Sequence, residues 1–143
     1  MIRQKNIFKG FSLVEVLLAG GIIAILVTAF AGVYIYGQES VMLSINRNRA
    51  VMLAEEGQEA VRNIRDNNFL DLLAGTHGLS NSGSAWQFAG SSDSVGLYTR
   101  EIIISDIDSE TKQIVSRVLW QKNQQTEGVV ELVSYLTNWR ESS

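Results

Sequence analysis

Polar and apolar positions divide the chain into a short basic segment, a long apolar segment and a mixed remainder. Residues 1–10 carry three bases and no acid, and the 21 residues 16–36 carry no charge. As a helix, that apolar segment spans roughly 31 Å at about 1.5 Å per residue, close to the ~30 Å hydrocarbon core of a bilayer. The pattern therefore predicts a helix that spans a membrane.

The charges on either side of this segment predict its orientation. Because basic flanks tend to remain in the cytoplasm, we expect residues 1–10 on the cytoplasmic side and residues 38–143 on the other side. The formal net charge is −3, and removal of residues 1–10 would change it to −6. An acidic product is a poor candidate for broad nucleic-acid binding, and no nucleic-acid partner is predicted.

Helical periodicity continues beyond the apolar segment to about residue 66. The opposite face is charged and is predicted to be solvated, with local ion pairs Glu59–Arg62 and Arg62–Asp66. The many small residues in the apolar stripe predict close packing on a sheet. A short turn at 69–74 and a helix C-cap at Gly75 are expected to follow. The stripe repeats about every 3.5 residues and consists of Leu43, Ala50, Leu53, Ala54, Gly57, Ala60, Val61 and Ile64.

The C-terminal half predicts strands. Residues 75–96 are rich in glycine and serine and indicate a loop with one short strand near Trp86. Runs of β-branched and aromatic residues predict strands at 97–105, 114–121 and 129–137, with connections short enough for hairpins. The predicted fold class is α+β: one long N-terminal helix packed on a small antiparallel sheet of three to four strands.

Glu15 is an acid within an otherwise apolar sequence. A carboxylate at the centre of a membrane helix costs about 2.5–3.5 kcal/mol, and less near an interface. One interpretation is a charge at the helix edge that reaches the headgroups. The other is a functional residue.

Residues 9–19, KGFSLVEVLLA, resemble the cleavage and methylation signal of type IV prepilins. That signal is a short basic leader ending in glycine, then phenylalanine, a glutamate four residues later and a long apolar helix. The resemblance implies cleavage between Gly10 and Phe11 by prepilin peptidase, and methylation of the new Phe11 amine by the same enzyme. It also implies that Glu15 pairs with the amine of an adjacent subunit during assembly. Spacing alone permits pairing within one chain equally well.

A second resemblance concerns the subtype. Residues 53–66, LAEEGQEAVRNIRD, look like the helix of minor pilins of the PilV type and secretion pseudopilins of the GspI type, and the ending YLTNW is similar to their last strand. The implied function is a structural subunit of a type IV pilus or a type II secretion-like filament. Its implied partners are prepilin peptidase, other pilin or pseudopilin subunits, and the membrane. The implied organisation is a leader at 1–10, a membrane half of the helix at 11–37, an outer half at 38–74, and a loop with a sheet at 75–143.

Small residues also recur at every fourth position of the apolar segment, interrupted only by Val16. Such a row permits close approach of a neighbouring helix. Many type IV pilins carry a proline at the position of Gly32, whereas this chain has no proline, so unwinding of the helix there stays open. The row comprises Ser12, Gly20, Ala24, Thr28 and Gly32.

Catalytic chemistry has little support in the sequence. His77 is the only histidine and lies in a glycine-rich loop, and there is no cysteine. No metal-ligand spacing, nucleophile elbow or phosphate loop is present. No enzymatic activity, catalytic residue, metal or cofactor is therefore predicted.

Two other hypotheses remain open. In one, Ala29-Phe30-Ala31 is the cleavage site of an ordinary signal peptide, and a soluble domain is secreted. Against this, the apolar run reaches back to Val16 and Glu15 would interrupt the apolar region of such a signal. In the other, the chain is a single-pass anchored domain that never polymerises. The mature N-terminus distinguishes the three, as Phe11, Gly32 or Met1.

Overall fold

The computed structural model describes residues 10, 12–81, 83, 85–123 and 126–139. The chain divides into two units, Met1–Met42 and Leu43–Ser143, here called the N-terminal unit and the C-terminal unit. The described elements are α1 (Leu13–Asn67), a 3-10 turn (Phe69–Asp71), β1 (Gly75–His77), β2 (Leu79–Asn81), β3 (Trp86–Phe88), β4 (Asp93–Val95), β5 (Tyr98–Asp106), β6 (Thr111–Asn123) and β7 (Thr126–Thr137).

The N-terminal unit consists of the first part of α1. The helix begins where the Ser12 carbonyl accepts hydrogen bonds from the amides of Glu15 (3.0 Å) and Val16 (3.2 Å). Every residue from Ser12 to Met42 is exposed within this chain. By length and composition the helix could span a membrane here, since an 18-residue window of it has a mean hydropathy of 2.5.

The C-terminal unit is an antiparallel sheet covered by the last part of α1. The order of its longer path is β1-β5-β6-β7, and β4 pairs with β5 beside β1. Strands β2 and β3 form a separate two-stranded sheet. The predicted class, a long N-terminal helix packed on an antiparallel sheet, is confirmed.

The buried face of α1 closely matches the predicted stripe. Leu43 is the exception, since it is 46% exposed. Gln58, which the polar–apolar pattern assigns to the solvated side, is buried instead. On the charged face, Glu59 and Arg62 form the predicted pair at 2.6 Å, and Asp66 pairs with its neighbour Arg65 at 2.8 Å. The buried helix residues are Ala50, Leu53, Ala54, Gly57, Gln58, Ala60, Val61 and Ile64.

The helix and the sheet approach each other most closely at Gly57. A Cβ atom at this position would overlap the Ser116 hydroxyl and would lie 3.1 Å from the Ile102 side chain. Only glycine therefore allows the backbone of α1 to approach β5 and β6 this closely.

Gln58 is satisfied by the sheet, which explains its burial. Its Nε2 donates to the Leu132 carbonyl at 2.7 Å and to the Ile114 carbonyl at 3.4 Å. Its Oε1 accepts a hydrogen bond from the Ser134 hydroxyl. A buried amide with all these partners holds α1 against β6 and β7.

Arg100 is a buried charge that the sequence analysis did not single out. It is 2% exposed, and its guanidinium donates to Asp93 at 2.9 Å and to the Leu53 carbonyl at 3.3 Å. Glu56 lies 3.8 Å away, and the Trp86 ring lies 5.8 Å from the guanidinium carbon. The alternation of β5, which places Arg100 on the buried face with Tyr98 and Ile102, is the signal that could have identified it.

The helix ends close to residue 66 and a short turn follows, as predicted, but the predicted C-cap differs from the structure. The helix stops at Asn67, so the segment 38–74 is longer than its helical part. Asn68 then caps the 3-10 turn, since its Oδ1 accepts from the Leu70 amide at 3.1 Å. Gly75 is the first residue of β1, with φ 142°, and the prediction of a helix C-cap there is wrong. The helix has already ended before Gly75, where the side-chain amide of Asn68 caps the 3-10 turn.

The three long strands are confirmed. β5 is shifted by one residue from the predicted range, and β6 and β7 each begin three residues earlier than predicted. The stretch 75–96, predicted as a loop with one short strand near Trp86, instead contains four strands of three residues each. Of these, β3 is the predicted strand. The sheets therefore hold more strands than the three to four expected, because β1 and β4 pair with β5 and β2 pairs with β3.

The connection between β5 and β6 is the predicted hairpin. The Asp108 carboxylate accepts hydrogen bonds from the amides of Glu110 (2.9 Å) and Thr111 (2.7 Å). The hydrogen bond from Glu110 is the largest factor that lowers the pKa of Asp108 below its ordinary value. The turn is thus stabilised by a charge-assisted local hydrogen bond.

Candidate processing and assembly site

Gly10 lies outside the helix and is exposed. A Cβ atom at Gly10 would meet no other atom within 4 Å, so the described structure leaves the chain accessible there. Phe11 lies outside the described residues, and so does the predicted geometry between Phe11 and Glu15. The helix begins two residues after Phe11, at Leu13.

Glu15 lies in the first turn of α1, on the exposed surface. An acid there interacts favourably with the positive end of the helix dipole, by about 0.3–1 kcal/mol. Ser12 and Glu15 also have the spacing of a capping box, a local signal that the sequence analysis missed. Within the described residues Glu15 has no ion-pair partner. Its carboxylate is therefore free to accept a cation from outside this part of the chain.

The apolar surface of the N-terminal unit is uncovered. Leu13 is 76% exposed, Phe30 71% and Tyr36 76%. Burial of a large apolar side chain is worth about 1.5–3 kcal/mol, so a surface of this extent strongly favours a non-aqueous environment. No described part of this chain supplies that environment, which leaves lipid or other protein chains.

The predicted small-residue row lies on this exposed surface. Cβ atoms added at Gly20 and Gly32 would meet nothing within 4 Å, so no close approach within the chain requires glycine at either position. The Thr28 hydroxyl donates to the carbonyls of Ala24 (3.0 Å) and Ile25 (2.9 Å). The Thr28 hydroxyl of the row is thus satisfied within the helix, and the helix continues through Gly32 without a break.

Two tyrosines mark the distal end of the apolar segment. Tyr34 and Tyr36 are exposed, and Gln38 donates to the Tyr34 hydroxyl at 3.0 Å. Aromatic rings with polar tips are typical of the membrane–water interface. From Glu15 to Tyr36 the helix rises about 31 Å. If the tyrosines lie at one interface, Glu15 lies near the other, where a carboxylate costs less than at the centre.

The His77 side chain makes contacts within the C-terminal unit. Its Nε2 lies 2.8 Å from the Leu73 carbonyl, and its ring lies 4.8 Å from the ring of Phe88. Among the residues that the structure describes, no group of three histidine or acidic side chains is arranged to hold a metal ion.

Comparison of the chain with protein-family models, curated proteins and solved structures finds no match. Function is therefore inferred from the chemistry of the N-terminal segment and from the uncovered surface of the N-terminal unit.

Proposed function

We propose that this protein is a structural subunit, a minor pilin or pseudopilin, of a type IV pilus or a type II secretion-like filament. One observation carries the proposal: the Gly10-Phe11 junction and Glu15 stand directly before an apolar helix that no described part of the chain covers. The basic residues and Glu15 would orient and stabilise the helix of an isolated anchor as well, but the Gly10-Phe11 junction between them is explained by the prepilin resemblance. In a filament, each would act at a different stage.

The first stage is processing. Prepilin peptidase hydrolyses the bond between Gly10 and Phe11 and methylates the amine that this releases on Phe11. Support comes from the exposure of Gly10 and from its position outside the helix. Without a Cβ atom, Gly10 allows the backbone to enter a narrow protease cleft in extended form.

Location changes with processing. Before cleavage the chain is held in the cytoplasmic membrane by a single span, with residues 1–10 in the cytoplasm and residues 38–143 outside. After cleavage, the helix leaves the bilayer and packs among other subunits in a periplasmic or cell-surface filament. The row of Gly20, Ala24, Thr28 and Gly32 supports close packing between helices there.

Glu15 acts in the second stage, assembly. Its carboxylate pairs with the Phe11 amine of a neighbouring subunit. Two opposite unit charges 4 Å apart attract each other by about 4 kcal/mol at an effective dielectric constant of ~20. The absence of an ion-pair partner for Glu15 among the described residues supports a partner outside them.

Mass spectrometry of the mature N-terminus tests the proposal. We expect a methylated Phe11. A chain beginning at Gly32 would instead indicate an ordinary signal peptide, and one beginning at Met1 would indicate an unprocessed anchor.

A variant pair locates the junction. We expect Gly10→Val to block trimming, because a β-branched residue at the scissile bond hinders the extended backbone. Gly20→Val makes the same chemical change within the helix and should be trimmed normally. Normal trimming of the Gly10 variant would contradict recognition of the leader at this position.

One observation favours a second candidate, the non-polymerising single-pass domain. The helix is complete in itself, since the Thr28 hydroxyl is bonded to carbonyls of its own helix. A lone span would therefore be tolerated in lipid. Shearing of cells separates the candidates: the filament subunit is released with sheared material, whereas the anchored domain remains with the membrane.

A further inference from the structure

The open edge of the sheet has little of the protection that natural edges carry. Strand β7 (Thr126–Thr137) is outermost in the order β1-β5-β6-β7 and pairs with β6 on one side only. In such a strand every second residue directs its N–H and C=O groups away from the sheet. Natural edges are commonly protected by lysine, proline, a bulge or a short strand. β7 has 12 residues and neither lysine nor proline, and its register irregularity lies only at its beginning, opposite Gln121 and Asn123.

A groove runs beside this edge. It has a volume of about 500 Å3 and is lined by Glu55, Gln58, Glu59 and Arg62 of α1 and by residues 132–134 of β7. Its floor is held in place, since Gln58 bonds both the Leu132 carbonyl and the Ser134 hydroxyl. We call it the β7 groove. It offers room for the side chains of an additional strand placed against β7.

The surroundings of the edge are acidic. Glu55 and Glu59 lie on the helix side, and Glu127 and Glu131 lie on β7. Arg62 is the basic residue that lines the groove, and it is paired with Glu59 at 2.6 Å. Among the side chains that the structure describes, which do not include those of residues 122 and 123, Glu55 and Glu127 have no ion-pair partner. Basic side chains would therefore complement this edge.

The outward face of β7 also favours a neighbour with basic side chains. Its acids alternate with apolar residues, since Glu127 and Glu131 are interleaved with Val129 (56% exposed), Val133 (54%) and Tyr135 (60%). Arg117 of β6 already pairs with Glu131 at 2.6 Å, so Glu127 is the acid of this face that a basic neighbour would meet. Directly opposed residues on adjacent strands stabilise each other when charges are opposite or when both are apolar. The best neighbour for β7 thus carries alternating basic and apolar side chains on that face.

We propose that the β7 edge binds an extended, basic segment of another polypeptide as an additional strand of the sheet. Main-chain hydrogen bonds to the outward groups of β7 supply the affinity, as in other cases of strand addition. Glu55 in the β7 groove and Glu127 on the outward face select for lysine or arginine, since Glu59 and Glu131 already have basic partners within the chain. This interaction is independent of the proposed filament role, because it uses none of the residues of the N-terminal unit.

The test uses the full-length chain in neutral detergent micelles and a fluorescently labelled peptide of alternating lysine and valine. Fluorescence anisotropy of the peptide is measured with protein-containing micelles and with empty micelles, and the difference reports binding to the protein. We expect saturable binding. A peptide of alternating glutamate and valine should bind at least tenfold more weakly. Two further lysine–valine peptides, each N-methylated on the amides of one of its two edges, test the main-chain contact. The peptide whose methylated edge faces β7 should lose binding. Equal binding of all four peptides, or no binding of the lysine peptide, would overturn the proposal.

Two further measurements locate the site. Glu55→Lys should weaken binding by about tenfold, whereas Glu110→Lys makes the same change in net charge in the β5–β6 hairpin and should leave binding within about twofold. Hydrogen exchange should slow at the outward amides of β7 when the lysine peptide is bound. Slowing confined to other strands, or equal effects of the two charge reversals, would also overturn the assignment to this edge.

Discussion

The two parts of α1 are one element with opposite surroundings. From Ser12 to Met42 every residue is exposed, whereas between Ala50 and Ile64 one face is buried against the sheet. The glycines of the two parts differ in how close other atoms of the chain lie to them. Cβ atoms at Gly20 and Gly32 would meet nothing, but a Cβ at Gly57 would overlap Ser116. Within α1, packing against the sheet thus requires glycine at Gly57, whereas no contact of the described chain requires it at Gly20 or Gly32.

The charges show the same contrast. Arg100 lies among apolar residues and has its partners within the chain, Asp93 at 2.9 Å and Glu56 at 3.8 Å. Glu15 also stands among apolar residues, yet it has no ion-pair partner among the described residues. The C-terminal unit is therefore electrostatically complete at its buried charge. The N-terminal unit has a charge, Glu15, with no ion-pair partner among the residues described there.

The largest expected effect concerns Glu15. Glu15→Leu should retain trimming and membrane insertion but reduce incorporation into sheared filaments by more than tenfold, because an unpaired buried cation costs several kcal/mol. Insertion should improve slightly, since leucine favours the membrane by about 0.5 kcal/mol. Glu39→Leu, a second acid of α1 beyond the apolar segment, is the matched control and should be incorporated normally. Wild-type incorporation of the Glu15 variant would reduce Glu15 to a charge at the helix edge.

In the C-terminal unit, Arg100→Ala should lower the free energy of unfolding by about 3–5 kcal/mol, since it leaves Asp93 partly buried without its cation. Chemical denaturation of the full chain in detergent measures this. Arg117 pairs with Glu131 at 2.6 Å on the exposed face, and Arg117→Ala should cost no more than about 1 kcal/mol. Similar losses for the two variants would mean that burial of the Arg100 pair is unimportant.

The glycine contrast can be tested directly. Gly57→Leu should destabilise the C-terminal unit by about 3 kcal/mol through overpacking against the sheet. Gly20→Leu should leave the same unfolding transition unchanged, because nothing in the chain lies near that position. Thermal unfolding followed by near-ultraviolet circular dichroism reports on Trp120 and its surroundings. A shift of that transition by the Gly20 variant would show that the two parts of α1 are coupled in stability.

The smallest effect is expected at Ser116. Its hydroxyl is buried and has no hydrogen-bond partner among the described residues, so Ser116→Ala should change stability by less than about 1 kcal/mol. It should, however, relieve part of the loss caused by Gly57→Ala, because it removes the oxygen that the new methyl group meets. A double-mutant cycle should give a favourable coupling of at least about 0.5 kcal/mol. If the effects of the two substitutions on stability were strictly additive, Gly57 and Ser116 would not be in the close contact described here.

Part of the site could be read from sequence because its features are local. The uncharged run 16–36 and the position of Glu15 before it can be recognised directly in the sequence. The structure adds that the surface of this helical segment is exposed. The pairing of Glu15 with a subunit amine could not be examined in the same way, since Phe11 lies outside the described residues. It remains a prediction for the variant above.

The sequence by itself determined the elements whose signal repeats along the chain. The apolar stripe predicted the buried face of α1 at nearly every position, and runs of β-branched and aromatic residues predicted β5, β6 and β7. Such patterns persist over several turns or residue pairs, so a local reading recovers them.

Only the tertiary structure decided the remainder. Strands β1 and β4, of three residues each, form because β5 pairs with them, and such short strands have no periodicity of their own to detect. Likewise, Gln58 and Arg100 are polar residues whose burial depends on partners distant in sequence, Leu132 for one and Leu53 for the other. A buried polar group is tolerated only when its hydrogen bonds are satisfied, and those partners exist only once the chain has folded.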